Sequence, residues 1–319
     1  MNLHGTAREH THVMSAPTSI HPTAILGEGV ELGVGVKIGP HSVIAPGTRI
    51  GDHSDIGPQV VLDGVTTIGA RNRIGPKVNI HGVTTLGDDN VVFGQASLGT
   101  APQDLSYRGE ATCLVIGDRN VVREFVTINR GTVKGGGFTT IGSDNLFMAC
   151  CHVAHDCEIA DHVIMANNVL LAGHVKVGRR ANISGHTGAH HFVTIGAYAY
   201  VGGMTRMVQD VPPFMIVEGH PSRVRGVNVV GLERGGKSPE AIATLRDAYK
   251  QIYRNRDATE TRRQILDRLE ASNIDSEEVR ELVSALRDTE NGVKGRHREA
   301  LREEFTRIGR QRILGEPRE

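Results

Sequence analysis

The 319-residue chain carries sixteen histidines, and seven of them fall between positions 152 and 191. Within that stretch His155 is followed directly by Asp156. An imidazole titrates near neutrality and suits general acid–base work, and an adjacent carboxylate can fix its tautomer and stabilise the imidazolium that forms. Three numbers then line up: His155, Gly173 and His191 are eighteen apart, as are Asp156, His174 and Phe192. If the chain returns on itself every eighteen residues, these six form two neighbouring columns, each step about 4.8 Å. Gly173 then sits one level from His155, where a backbone N–H with no side chain over it can donate to the oxyanion of a tetrahedral intermediate. Imidazole, carboxylate and free amide together are the equipment of acyl transfer.

The elements that must position these residues follow from a period of six. Aliphatic residues occupy Ile20, Leu26, Leu32, Ile38, Ile44, Ile50, Ile56, Leu62, Ile68, Ile74, Ile80, Leu86, Val92 and Leu98 without a miss. The frame resumes at Ile116, Val122 and Ile128, shifts by one, and runs from Ile141 through Phe147, Val153 and Leu171 to Met207. Six fits neither a 3.6-residue helix nor a two-sided strand. It fits a parallel β-helix in which each hexad is a short strand plus a turn and three hexads close an eighteen-residue coil. The aliphatic points inward, a small residue four places later fills the corner, and the frequent following glycine is expected to permit the turn. His155 and Asp156 fall two and three places past inward Val153, so both are expected on the outside, exposed. Cys151 and Cys157 fall four past an inward residue and read as small core residues rather than zinc ligands.

The frame breaks at 99–115 and 129–140, and both segments read as extruded loops that build a binding surface. Glycine changes abruptly too: 35 of the 39 precede position 237, whereas 35 of the 72 charged residues follow position 236. The expected organisation is an extension over 1–19, the solenoid over 20–212, a connection over 213–236 and a helical domain over 237–319. Ser238 and Pro239 start a helix with the stripe Ile242, Leu245, Tyr249 and Ile252; further helices are expected over 259–271, after Asp275 with Glu278 as a capping box, and over 296–314. Lys and Arg total 36 against 36 Asp and Glu, which gives no argument for nucleic acid as a partner. No apolar run approaches the about 20 residues of a transmembrane segment. Four cysteines make no disulfide framework, and a cytoplasmic protein is the expectation.

Several short motifs then resemble one family. His152-Val-Ala-His155-Asp156, Ala166-Asn-Asn-Val, Leu171-Ala-Gly-His174, Val201-Gly-Gly203, Gln209-Asp-Val-Pro-Pro-Phe214, Gln103-Asp104-Leu and Arg130-Gly-Thr-Val-Lys-Gly-Gly-Gly137 are similar to the UDP-N-acetylglucosamine O-acyltransferases, over about residues 20–255. The resemblance implies an all-β left-handed parallel β-helix with a C-terminal α-helical domain, a homotrimer with sites between neighbouring prisms, and neither metal nor other cofactor. It implies transfer of a 3-hydroxyacyl chain from acyl carrier protein to the 3-hydroxyl of UDP-N-acetylglucosamine, the first step of lipid A synthesis. His155 would be the base, Asp156 its orienting partner and the Gly173 amide the oxyanion donor. Gln103, Asp104, His152, His174, His190 and His191 would contact donor or sugar nucleotide, Gly203 would floor the acyl groove, and Asn228 and Arg234 would lie near phosphates. The chain departs from the family pattern at Ser106, where Lys is common, and at Asn129, His191 and Gly235. Arg108 or Lys134 could replace the missing cation, or the acceptor could be a 3-amino sugar nucleotide. Other readings are the pathway's N-acyltransferase, for which nineteen N-terminal residues are too few, a zinc hydratase of the same fold using His186 and His191, and a non-catalytic scaffold.

Overall fold

The computed structural model describes residues 17–254, 260–272, 275–292 and 295. Most strands are two residues long, an outward residue followed by the inward aliphatic, and they pair in parallel with the strand eighteen positions on: Lys37 with Asp55, Asp55 with Arg73. Three sheets of 12, 10 and 9 strands result, one per face of a parallel β-solenoid. From Ile38 onward the inward residues are sealed from water, with Ile56, Leu62, Val153 and Leu171 at 0% exposure. Ile20, on the first described coil, is 45% exposed because nothing described stacks beneath it.

From Val36 onward the corner positions four past the inward residues are buried as expected, and several are polar. Asn72, Asn90, Asn120 and Asn145 form a ladder in which each side-chain oxygen accepts the backbone N–H of the next rung, at 2.9, 2.8 and 3.0 Å, and Asn145 accepts from Val163 at 2.6 Å. Such a ladder satisfies the side-chain oxygens from coil to coil, while the Asn145 amide nitrogen is buried without a partner among the described residues.

Glycine's role differs from the expectation. The left-handed turn residue is three past the inward position, and there the chain mostly uses other residues, among them His53, Asp156, His174 and Phe192, with φ near 60°. The glycine directly after the inward residue is needed for close approach: a Cβ on Gly39 or Gly57 would come within 2.7 or 2.8 Å of backbone atoms of the adjacent coil. The turn is made three residues later.

Both interruptions leave the prism at one corner, between the second and third faces. Coil register widens from eighteen to 30 residues between Val91 and Val121 and to 25 between Val121 and Leu146. The strands Ser97–Thr100 and Cys113–Ile116 extend into the first interruption, and Thr127–Asn129 and Phe138–Ile141 into the second. The free loops are thus shorter than the frame break suggests, 101–112 and 130–137.

Residues 213–236 are more than a connection. Met215–Glu218 and Arg223–Val227 form an antiparallel hairpin on the end of the first sheet, and a short helix α1, Val229–Arg234, follows. Helix α2, Pro239–Tyr253, is capped by Ser238, whose side chain accepts from the Ala241 N–H. Helix α3 spans Arg262–Ser272 and α4 spans Glu277–Glu290. The α4 cap is Ser276 rather than Asp275, which puts Val279 at the third helical position, and Glu278 pairs instead with Lys237, 2.5 Å off. The helices bury Ile242, Leu245, Leu266 and Leu282 against Tyr198, Phe214 and Val227 of the last coils. The segment 296–314 lies outside the described residues. Among the described residues no helix is long and apolar enough to cross a membrane.

Candidate active site

Stacking at the second corner creates the two columns expected from numbering. The His174 N–H donates to the His155 carbonyl at 3.0 Å, and the Phe192 N–H donates to the Gly173 carbonyl at 3.1 Å. Within the columns the His155 and His174 rings meet edge to face at 5.2 Å, and His174 stacks on Phe192 at 4.4 Å.

His155 and Asp156 are not exposed, contrary to the phase argument; they retain 7% and 6% of their surface. The reason is the second loop, which folds over the corner. Thr132 donates its N–H to Asp156 Oδ1 at 2.7 Å and its hydroxyl to Oδ2 at 2.6 Å. The Asp156 N–H donates to Thr139 Oγ1 at 2.8 Å, so backbone and carboxylate are both fixed. A Cβ at Gly135 would overlap that carboxylate, which explains glycine in the covering turn.

Asp156 Oδ2 lies 2.7 Å from His155 Nδ1. A carboxylate there accepts a hydrogen bond from Nδ1–H, which keeps the proton on Nδ1 and leaves Nε2 as the acceptor, the tautomer a general base needs. Nε2 faces a groove of about 300 Å³ lined by Gln103, His152, Leu170, Gly173, Gly188 and His191. His190 and His191 continue into an adjoining groove of about 480 Å³ with Arg206 and Met207. The Gly173 N–H has no acceptor among the described residues, as expected for a turn position that coil pairing does not use and that Pro40, Pro46, Pro58 and Pro76 fill elsewhere. Another cavity, about 900 Å³, lies between the third face and the helices and holds none of this cluster.

The first loop adds a carboxylate opposite Asp156. Asp104 Oδ2 is 4.0 Å from His155 Nε2, and the same oxygen is ion-paired with Lys134. Asp104 Oδ1 accepts from the Ser106 N–H and hydroxyl, both at 2.8 Å. Burial pushes this carboxyl up, but hydrogen bonds from Lys134 and Ser106 outweigh it and hold Asp104 well below the usual carboxylate range. His152 bonds Thr127 Oγ1 through Nδ1 at 2.7 Å, and burial first, then proximity to His155, lowers its pKa.

Of the expected site residues, Gln103, Asp104, His152, His155, Asp156, Gly173, His174, His190 and His191 converge at this corner. Gly203 belongs to the corner between first and second faces, following Tyr200–Val201. Asn228 is buried; its amide donates to the Tyr198 carbonyl at 2.8 Å and its oxygen caps α1. Arg234 is exposed in the last turn of that helix. Arg108 turns its guanidinium onto the carbonyls of Leu105 and Tyr107. Thr132, Thr139 and Lys134's contact were not legible as site features; the only signal was that 130–137 breaks the hexad frame next to the histidines.

For a metal, the one three-donor group among the described residues is His155, Asp156 and His174. Its carboxylate is already committed to Thr132 and His155. Cys151 and Cys157 are buried and donate to carbonyls of the next coil, and burial pushes their thiols up to about 11 and about 12. His186, 3.4 Å from Asn168, is at another corner from His191, so that pair is not brought together.

Comparison with known proteins agrees with this architecture. Family models for bacterial transferase hexapeptide repeats match residues 29–64 and 138–173, and a model for the second domain of UDP-N-acetylglucosamine O-acyltransferase matches 210–294. An acyl-[acyl-carrier-protein]–UDP-N-acetylglucosamine O-acyltransferase of Burkholderia mallei is 45% identical over 199 residues, 62% of this chain and 76% of that protein. A solved Acinetobacter baumannii structure of the same enzyme is 36% identical with a TM-score of 0.68, covering 85% of this chain and 95% of that one. The Arabidopsis UDP-N-acetylglucosamine acyltransferase structure gives 32% and 0.71, with coverage of 85% and 94%. With the hexad solenoid, the helical cap and the relatives in agreement, the chain belongs to the UDP-N-acetylglucosamine O-acyltransferase family.

Proposed function

We propose that this protein transfers an acyl chain, specifically a 3-hydroxyacyl chain, from the thioester of acyl carrier protein to the 3-hydroxyl of UDP-N-acetylglucosamine, with His155 as general base. The observation that carries the assignment is the 2.7 Å His155–Asp156 pair, buried beside the unpaired Gly173 amide and opening on a groove. Asp156 holds the proton on Nδ1, and Nε2 removes the proton from the sugar hydroxyl. The oxygen attacks the thioester carbonyl, forming the ester C–O bond. The Gly173 N–H donates to the resulting oxyanion, an interaction of a type worth about 3 kcal/mol in other acyl-transfer enzymes. Collapse breaks the C–S bond, and the imidazolium returns its proton to the departing thiolate. Gln103, His152, His174, His190 and His191 line the path for donor and sugar nucleotide.

The groove is open along one side of a single prism, while Gly203, Asn228 and Arg234 belong elsewhere on the chain. A homotrimer would let a neighbouring prism complete the cleft, and exposed apolar residues at Phe125, Leu170 and Met204 support such an arrangement. Incubation with UDP-N-acetylglucosamine and 3-hydroxyacyl carrier protein should give acylated sugar nucleotide. His155→Ala should remove nearly all of it, and normal turnover by that variant would sink the base assignment.

A further inference from the structure

We propose that Lys134 is a positioning residue for this reaction: its ammonium clamps the two solenoid loops together and neutralises Asp104, so that His155 stays unprotonated and able to act as a base. The inference rests on the assignment of His155 above and extends it to a residue outside the groove wall.

Two carboxylates flank the His155 ring. Asp156 sits at 2.7 Å from Nδ1 and Asp104 at 4.0 Å from Nε2. One carboxylate on the far nitrogen prepares a base; a second facing the working nitrogen would keep a proton there and block the reaction. Among the described residues, the other titratable groups around the ring are His174, at 5.2 Å, His152, whose titration senses His155, and His191 across the groove; none carries a permanent positive charge. Lys134 supplies that charge. It lies in the 3-10 turn Val133–Gly135 of the second loop, and its Nζ reaches the first loop, pairing with Asp104 and donating to Ser106 Oγ at 2.9 Å. Its side chain is 25% exposed and that of Asp104 15%, so screening by water is incomplete. Lys134 thus ties the loop that covers Asp156 to the loop that carries Gln103 and Asp104.

The geometry also says how the charge could be supplied otherwise. Position 106 lies within hydrogen-bond distance of Nζ, so a lysine there can deliver an ammonium to the same carboxylate from the other loop. Lys134→Met keeps chain length and removes charge. With saturating acyl carrier substrate, it should move the acid limb of the pH–rate profile upward by about one unit, so that kcat/KM falls about threefold at pH 7 and by up to about tenfold well below the limb, as expected when a partly screened carboxylate near 4 Å loses its counterion. Lys134→Met combined with Ser106→Lys should recover most of the rate and return the acid limb towards its wild-type position. A purely structural role would give a lower melting temperature without displacement of the acid limb. A Lys134→Met profile superimposable on wild type, or a double variant no better than the single one, would overturn the proposal. His155→Ala, measured alongside, separates failure of the base assignment from failure of the clamp, because a base other than His155 would leave that variant active whatever Lys134 does.

Discussion

Replacing Gly173 by alanine tests the placement of the catalytic ring with one methyl group. Gly173 does not adopt a left-handed φ, so alanine can take its backbone conformation without strain. The added Cβ would lie 2.5 Å from His155 Cε1 and 2.8 Å from Nε2, about 0.9 Å short of ordinary contact at 3.4 Å. His155 cannot yield by sliding along the groove, because Asp156 holds Nδ1 and is itself held by Thr132 and Thr139. The imidazole must tilt by about the missing distance, and a misplacement of about 1 Å costs about 100-fold in rate, or about 2.7 kcal/mol of barrier. The amide that serves the oxyanion survives the substitution, so the loss reports on the ring. Initial rates at saturating substrates should therefore fall about 100-fold while the melting temperature stays near that of the wild type. A wild-type kcat in a normally folded Gly173→Ala variant would refute the placement.

Three further outcomes follow. Thr132→Val keeps the loop's shape but removes the hydroxyl donor to buried Asp156, and should cost about 1.5–3 kcal/mol in urea unfolding together with a loss of kcat. In the native protein a thiol reagent at pH 8 should label exposed Cys150 readily but spare Cys151 and Cys157, whose thiols burial holds at about 11 and about 12; labelling of the buried pair should appear only on unfolding. Asp104 is held below its unfolded pKa, so its contribution to stability is full above about pH 4 and is lost as pH falls through the folded value. The difference in melting temperature between wild type and Asp104→Asn should be constant from pH 7 to 5 and close below about pH 4.

The solenoid was legible because its interior admits one aliphatic per face per coil, and from Ile38 to Met207 the in-frame inward positions are buried, Ala189 at 6% included. The columns at 155, 173, 191 and 156, 174, 192 followed from the same number. Local periodicity carries no information on what lies across the corner. The hexad phase put His155 outside, correctly as to the prism, but the burying loop is set by Thr132, Gly135 and Lys134, residues in a segment with no period to read. The glycine that often follows an inward residue reads as a turn former because glycine tolerates positive φ; the constraint is instead the backbone of the next coil. Ser276 rather than Asp275 caps the last helix, and Glu278 pairs with Lys237, 41 residues earlier in sequence, a contact that local sequence does not show.

The central claim is that the His155 corner acylates a sugar nucleotide, and mass spectrometry of the product tests it most directly. Purified protein would be given a mixed pool of 3-hydroxyacyl carrier proteins with UDP-N-acetylglucosamine and its 3-amino analogue. A 3-O-acylated UDP-N-acetylglucosamine is expected, formed by the wild type and absent with His155→Ala. No acylated nucleotide, acylation of the 3-amino analogue alone, or the same product from the His155→Ala variant would contradict it.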